Sequence, residues 1–214
     1  MTGGAGTRGP GASELRERRL PRQWFARDAL VVARALIGCL LVHERREGDA
    51  RVSRIVETEA YRGPRDLACH AKVGLTKRTR TLFGEEGHAY VFFIYGMHDC
   101  FNVTCKGTGE GHAVLVRAGE PLSGFEPEAR LDGPGRFARA MEIPRTMDGV
   151  DLTLLPLYLA PRTTRPRIGI SARVGVAYAG TWADKPWRFF DARSPHVSRP
   201  PRSAIGRARD SDAD

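Results

Sequence analysis

Between Arg54 and Arg117 the chain gathers residue types that packing alone seldom requires together. They are Arg54-Ile55-Val56-Glu57-Thr58-Glu59-Ala60-Tyr61, then Asp66-Leu67-Ala68-Cys69-His70-Ala71, then Tyr90-Val91-Phe92-Phe93-Ile94-Tyr95-Gly96-Met97-His98-Asp99-Cys100-Phe101-Asn102, and finally Val114-Leu115-Val116-Arg117. A carboxylate beside aromatic and apolar neighbours is partly desolvated and poised to activate water. The competing reading of Glu57 and Glu59 is a pair of solvated strand carboxylates. His70 has the same two readings, functional group or satisfied structural histidine. Tyr61, Phe92 and Tyr95 are either core or a binding surface. Cys69, His70, His98, Cys100 and Cys105 include zinc-ligating types but lack a paired C-x-x-C, so no metal is expected. No G-x-S-x-G nucleophile signature occurs. Gly107-Thr108-Gly109-Glu110-Gly111 lacks the Lys-Ser/Thr of a phosphate cradle and reads as a hairpin connection.

These residues need elements to position them. Cys39 to Arg45 and Arg51 to Ala60 flank a Glu-Gly-Asp turn and predict a hairpin. Alternation along its second strand puts Glu57, Glu59 and Tyr61 on one side. His88 to Tyr95 and Phe101 to Cys105 read as strand, protruding tip, strand, with Tyr95 and Met97 on the tip. His112 to Ala118 forms another strand, with Leu115 and Arg117 facing one way and Glu120-Pro121 ending it. Asp28 caps a helix through Leu36 that Gly38 ends. Pro64 to Gly87 is basic and irregular, with Lys72, Lys77, Arg78 and Arg80 spread through it. Gly133-Pro134-Gly135 leads into a helix from Arg136 to Met141 whose entry suits a phosphate. Val150 to Leu159, Ile168 to Tyr178 and Trp187 to Phe190 are the remaining strands.

A chain of 214 residues, 41% hydrophobic and 28% charged, suits one buried core and neither a disordered nor a membrane protein. No apolar run reaches the roughly 18 residues of a membrane span, and no signal peptide is seen, so a cytoplasmic location is expected. The four cysteines are then expected to be reduced. Residues 1–19 read as a mobile basic arm, 20–199 as the domain and 200–214 as a loose tail. The net charge of +9, mostly arginine, points to a polyanionic partner, nucleic acid first.

Val56-Glu57-Thr58-Glu59-Ala60-Tyr61, Asp66 to His70, Tyr95-Gly96-Met97, Asn102, Leu115-Val116-Arg117 and Ser171-Ala172-Arg173-Val174-Gly175-Val176 form an ordered set. By that set the sequence resembles the compact, mammalian-type alkyladenine (3-methyladenine) DNA glycosylases, from about Leu20 to Arg199. The resemblance implies a single α+β domain: a mixed, mostly antiparallel β-sheet, surrounding short helices and a β-hairpin that protrudes into the DNA minor groove. It implies a monofunctional enzyme of base excision repair that flips 3-methyladenine, 7-methylguanine, hypoxanthine or ethenoadenine out of duplex DNA. Hydrolysis of the N-glycosidic bond then leaves an abasic site.

Glu59 falls at the catalytic carboxylate that deprotonates the attacking water, and Arg117 at the residue that helps hold that water and the adjoining phosphate. Glu57 becomes their supporting neighbour. Tyr61 and His70 match residues that sandwich the flipped base. Phe92 matches the third aromatic, which is a tyrosine in a relative. Asn102 matches a residue that disfavours the exocyclic amino group of guanine. Tyr95 matches the wedge, with Met97 and Leu115 as apolar neighbours in the vacated gap. No lysine matches a Schiff-base nucleophile, so no lyase activity is implied. The resemblance implies no cofactor, duplex DNA with a damaged purine as the partner, and a monomer. The alternative is a catalytically silent nucleic-acid-binding protein that keeps the wedge and the basic surface.

Overall fold

The computed structural model describes residues 12–94 and 98–198. Helix α1 (Ala12–Glu17) and the short α2 (Arg22–Phe25) precede α3 (Ala29–Leu36). Asp28 caps α3 by accepting the Leu30 N–H at 3.0 Å, and α3 buries Ala29, Val32, Ala33 and Leu36. That spacing is one helical face turned to the core. Gly38, at φ +89°, makes the left-handed turn that releases the chain into the sheet.

The strands are β1 (Leu40–Arg46), β2 (Asp49–Arg62), β3 (Ala89–Ile94), β4 (His98–Cys105), β5 (His112–Ser123), β6 (Leu157–Ala160), β7 (Ile168–Ser171) and β8 (Arg188–Asp191). They form a single sheet in the order β3-β4-β5-β2-β1-β6, with β8 also pairing β2 and β7 pairing β8. Every pairing is antiparallel. The long β2 organises the sheet. One edge runs against β5 from Val52 to Arg62, and the other pairs first with β1 and then, from Glu57 to Glu59, with β8.

Alternation divides the side chains of β2 to β5 between two faces. Ala60, Val91, Phe101, Val103, Val114 and Val116 enter the main core, which α3 and α4 (Pro134–Ala140) cover. Gly119 lets α4 approach: a Cβ there would lie 2.2 Å from Ser53 Oγ and 2.7 Å from the Phe137 ring. Glu59, Tyr61, Leu115, Asn102, Tyr90 and Phe92 stand on the opposite face. Register shifts pass over Val56 on β2 and Arg117 on β5. Such bulges re-aim side chains and bend strands.

The α+β architecture, the first hairpin, the Asp28-capped helix and the β3–β4 pairing agree with the sequence reading. Five segments differ. Strand β5 continues past Glu120-Pro121 to Ser123, because the long β2 offers it a partner that far. The expected strand Val150 to Leu159 is reduced to Leu157–Ala160, and Ile168 to Tyr178 to Ile168–Ser171. Residues Ala177–Trp182 instead form short 3-10 turns broken at Gly180, whose φ is +57°. Helix α4 starts two residues early, with Pro134 in its first turn. The expected arm 1–19 contains a packed part: Leu15 of α1 is 1% exposed against Leu40, Val42 and Tyr158, and Arg16 pairs with Glu44. Residues 1–11, the hairpin tip 95–97 and 199–214 lie outside the described residues, and with them Tyr95, Met97 and the expected tail. Among the described residues no helix is long and apolar enough to cross a membrane.

Candidate active site

One row of cross-strand neighbours builds the centre of the site. Glu59 on β2 is opposite Leu115 on β5, Leu115 opposite Asn102 on β4, and Asn102 opposite Tyr90 on β3. Cross-strand partners share a face, so four distant stretches of sequence converge in one line. Tyr61 and Phe92 stand two residues from this row on the same face. They border a cavity of about 770 Å³, lined also by His70, Tyr90, Asn102, Leu115 and Arg117.

The polar end of the site is a pair of fully buried carboxylates threaded by Arg117. Arg117 Nε donates to Glu57 Oε1 at 2.8 Å, and its Nη1 lies 3.3 Å from Glu59 Oε1. Glu57 Oε1 also accepts from Arg188 Nε at 2.7 Å and Ser198 Oγ at 3.0 Å, while its Oε2 accepts the Ser198 N–H at 2.7 Å. Burial pushes the Glu57 carboxyl up, but Arg117, Arg188 and the Ser198 donors outweigh it and hold it below the ordinary value. Glu57 is thus an anion that accepts four hydrogen bonds, one of them from Arg117.

Glu59 is bonded more sparingly. Its Oε1 accepts the Val174 N–H at 2.7 Å and its Oε2 accepts the Tyr61 hydroxyl at 2.8 Å. Burial, then Glu59, raises the Tyr61 phenol well above its usual range, so the hydroxyl stays protonated and donates. Glu59 is 0% exposed and stands behind Tyr61, Arg117 and Val174, which form the cavity surface in front of it.

The aromatic end is held by hydrogen bonding as well as packing. His70, opening the 3-10 helix His70–Val73, places Nδ1 3.0 Å from the Tyr90 hydroxyl. Its ring meets Phe92 edge-on at 4.4 Å between centroids. Burial, with Arg78 and Lys72 nearby, lowers the His70 pKa to about 4, so the ring is neutral at pH 7. Burial also lifts the Tyr90 phenol to about 12. Both groups are therefore neutral at pH 7 and are joined by one hydrogen bond between Nδ1 and the hydroxyl. Asn102 is buried, with its amide nitrogen held by the Tyr90 carbonyl at 3.1 Å and the Cys100 carbonyl at 3.4 Å.

The structure brings Arg117, Tyr61, His70, Phe92 and Asn102 to one cavity, with Glu59 behind its wall. Leu115 departs from expectation: it sits at 6% exposure in the middle of β5, in the cavity wall between Glu59 and Asn102. Sequence reasoning missed Tyr90, which alternation with Phe92 would have revealed, and the Val174 N–H, Arg188 and Ser198, which no local pattern announces. The entry of α4 also reaches the site, since Asp132, Gly133, Gly135 and Arg136 line the cavity.

Fold and site together are one α+β domain with a buried carboxylate–arginine centre beside an aromatic cavity. The chain matches the family model for Methylpurine-DNA glycosylase (MPG) over residues 23–195 and belongs to that family. It is accordingly a DNA glycosylase, a hydrolase of N-glycosyl bonds in DNA that serves DNA repair. Similar proteins include one from Myxococcus xanthus, 53% identical over 85% of this chain and 94% of the relative. Others are from Anaeromyxobacter sp., 48% identical over 89% of this chain and 100% of the relative, and from Methanocella arvoryzae, 45% identical over 84% and 96%. Each of the three is named "Putative 3-methyladenine DNA glycosylase".

Proposed function

We propose that the enzyme flips alkylated or deaminated purines out of duplex DNA into the aromatic cavity and releases them with water activated by Glu59. The observation that carries this reading is the Glu59–Leu115–Asn102–Tyr90 row. It sets a buried carboxylate and a polar recognition group on one face with an aromatic pocket between flanking strands. Tyr61, His70 and Phe92 offer stacking faces, which favour cationic bases such as 3-methyladenine and 7-methylguanine. With the Tyr90 hydroxyl donating to Nδ1, His70 carries its proton on Nε2 and adds a donor for neutral lesions such as hypoxanthine and ethenoadenine. Leu115 serves as an apolar wall. Asn102, its amide fixed by two carbonyls, presents a rigid edge against the exocyclic amino group of guanine. Tyr95, with Met97, fills the gap in the duplex.

Water reaches Glu59 through a rearrangement. The Arg117–Glu59 contact, at 3.3 Å, is the longest of the Glu59 contacts described above. An incoming phosphate competes for the same guanidinium, while Glu57 keeps its Nε in place. Arg117 turning its outer nitrogens toward DNA uncovers the Glu59 carboxylate only when substrate is bound. The carboxylate then takes the proton of the attacking water and stabilises the positive charge developing on the sugar. The products are the free base and an abasic site, without lyase activity. We place the enzyme in the cytoplasm, acting as a monomer on chromosomal DNA.

Single-turnover incubation with duplexes carrying 7-methylguanine, hypoxanthine or ethenoadenine tests the proposal. Release of free base from at least one duplex is expected, with the strand intact until alkali cleaves the abasic site. No release from any of them would overturn the substrate assignment.

A further inference from the structure

Arg173 is as buried as the catalytic pair, yet it touches neither the cavity nor Glu59. Its side chain is 0% exposed, as is that of Asp66. The guanidinium grips Asp66 in a bidentate pair, Nη1 to Oδ2 at 2.6 Å and Nη2 to Oδ1 at 2.9 Å. It also donates to the Ala60 carbonyl at 3.0 Å and the Trp182 carbonyl at 3.1 Å. Its carbon centre lies 4.8 Å from the Tyr61 ring centroid and 4.9 Å from that of Trp187. Asp66 in turn accepts the Arg62 N–H at 3.1 Å and the Ala68 N–H at 3.0 Å.

We infer that the Asp66–Arg173 pair is a positioning device that sets the base pocket and the catalytic carboxylate together. It rests on the reading of the cavity as the base site. Besides the contacts with Trp182 and Trp187, three connections leave the pair and end on working residues. The guanidinium backs the Tyr61 ring and fixes the preceding carbonyl, which sets one wall. Asp66 fastens the turn at Gly63 to Cys69, which delivers His70 as the facing wall. The residue after Arg173 is Val174, whose N–H holds Glu59 Oε1. A hydrophobic pair of the same volume would fill this space and often costs nothing in stability, so folding alone does not demand these charges here. What an apolar pair lacks is direction: it cannot hold two backbone turns and a ring plane in fixed relation.

The test uses Asp66→Asn and Arg173→Lys in the full chain, on the duplex that wild-type enzyme processes best. Both keep a polar group of similar size, and thermal melting with circular dichroism measures the folded fraction. The expected result, per folded molecule, is a single-turnover release rate at least tenfold lower. The quenching of ethenoadenine fluorescence that reports flipping should also fall. Affinity for undamaged duplex should stay within about twofold, because the pair meets no phosphate. Hydrogen exchange of residues 172–176 is followed in parallel and should accelerate relative to β1, a readout that needs no turnover. A lowered melting temperature with unchanged release rate and unchanged exchange at 172–176 would make the pair merely structural and overturn the inference. Failure of the wild-type enzyme to release any base, with accelerated exchange in the variants, would instead count against the function proposed for the cavity.

Discussion

Replacing His70 by glutamine should flatten part of the acid denaturation of this protein. Burial, Arg78 and Lys72 hold the His70 pKa near 4, against an ordinary value of 6.5. The folded state therefore binds this proton later than the unfolded chain as the pH falls. Stability from the neutral ring is complete above about pH 6.5 and is lost as the pH drops toward 4. At pH 4.5 a full shift of that size corresponds to about 2.5 kcal/mol relative to neutral pH. Partial solvent screening of a ring that lines an open cavity reduces this to about 2 kcal/mol. Glutamine does not titrate. The variant also loses the Tyr90 hydrogen bond, but Tyr90 stays protonated throughout the window, so that cost is the same at every pH. Urea unfolding of both proteins at pH 7.5, 6.5, 5.5 and 4.5 gives the comparison directly. The stability of His70→Gln relative to wild type should rise by about 2 kcal/mol across the series. His112, also lowered by burial, is common to both and cancels. A difference that does not change with pH would refute the claim that His70 is held neutral.

Glu57→Gln should destabilise the fold by about 3–5 kcal/mol, the usual cost of removing one partner from a buried ion network. Because the Glu57 carboxyl is held below its ordinary value, that difference should be present above about pH 4.5 and shrink as the pH falls below it. Chemical denaturation at pH 7 and pH 3.5 checks both statements. Binding to duplex DNA should weaken steeply between 50 and 200 mM salt, by about 10³-fold if six phosphates are neutralised. A flat salt dependence by fluorescence anisotropy would contradict a basic DNA-binding face.

Much of this site was legible in the sequence because strands encode faces by alternation. Glu57, Glu59 and Tyr61 were separable from Thr58 and Ala60 by parity alone, and parity would also have found Tyr90 beside Phe92. What alternation cannot give is register. That Glu59 faces Leu115, and Leu115 faces Asn102, depends on three strand pairings and on the two residues passed over at Val56 and Arg117. The contributions of Arg188, Ser198 and the Val174 N–H come from segments more than a hundred residues along the chain from Glu57 and Glu59. Only the folded sheet brings them near. For Leu115 the resemblance gave a role in the gap, whereas its position in the cavity wall comes only from strand register. The extended strands expected after Val150 failed because short apolar runs there serve turns and a 3-10 helix, and period-two patterns over a few residues do not distinguish these.

The Glu59→Gln variant tests the central claim most directly, because it keeps the shape of the side chain and its place between Tyr61 and Val174. Single-turnover base release should fall by at least a hundredfold, the lower end of what a positioned general base contributes. Affinity for the same lesion-bearing duplex should stay within a few-fold. A release rate within tenfold of wild type would show that Glu59 is not the group that activates water.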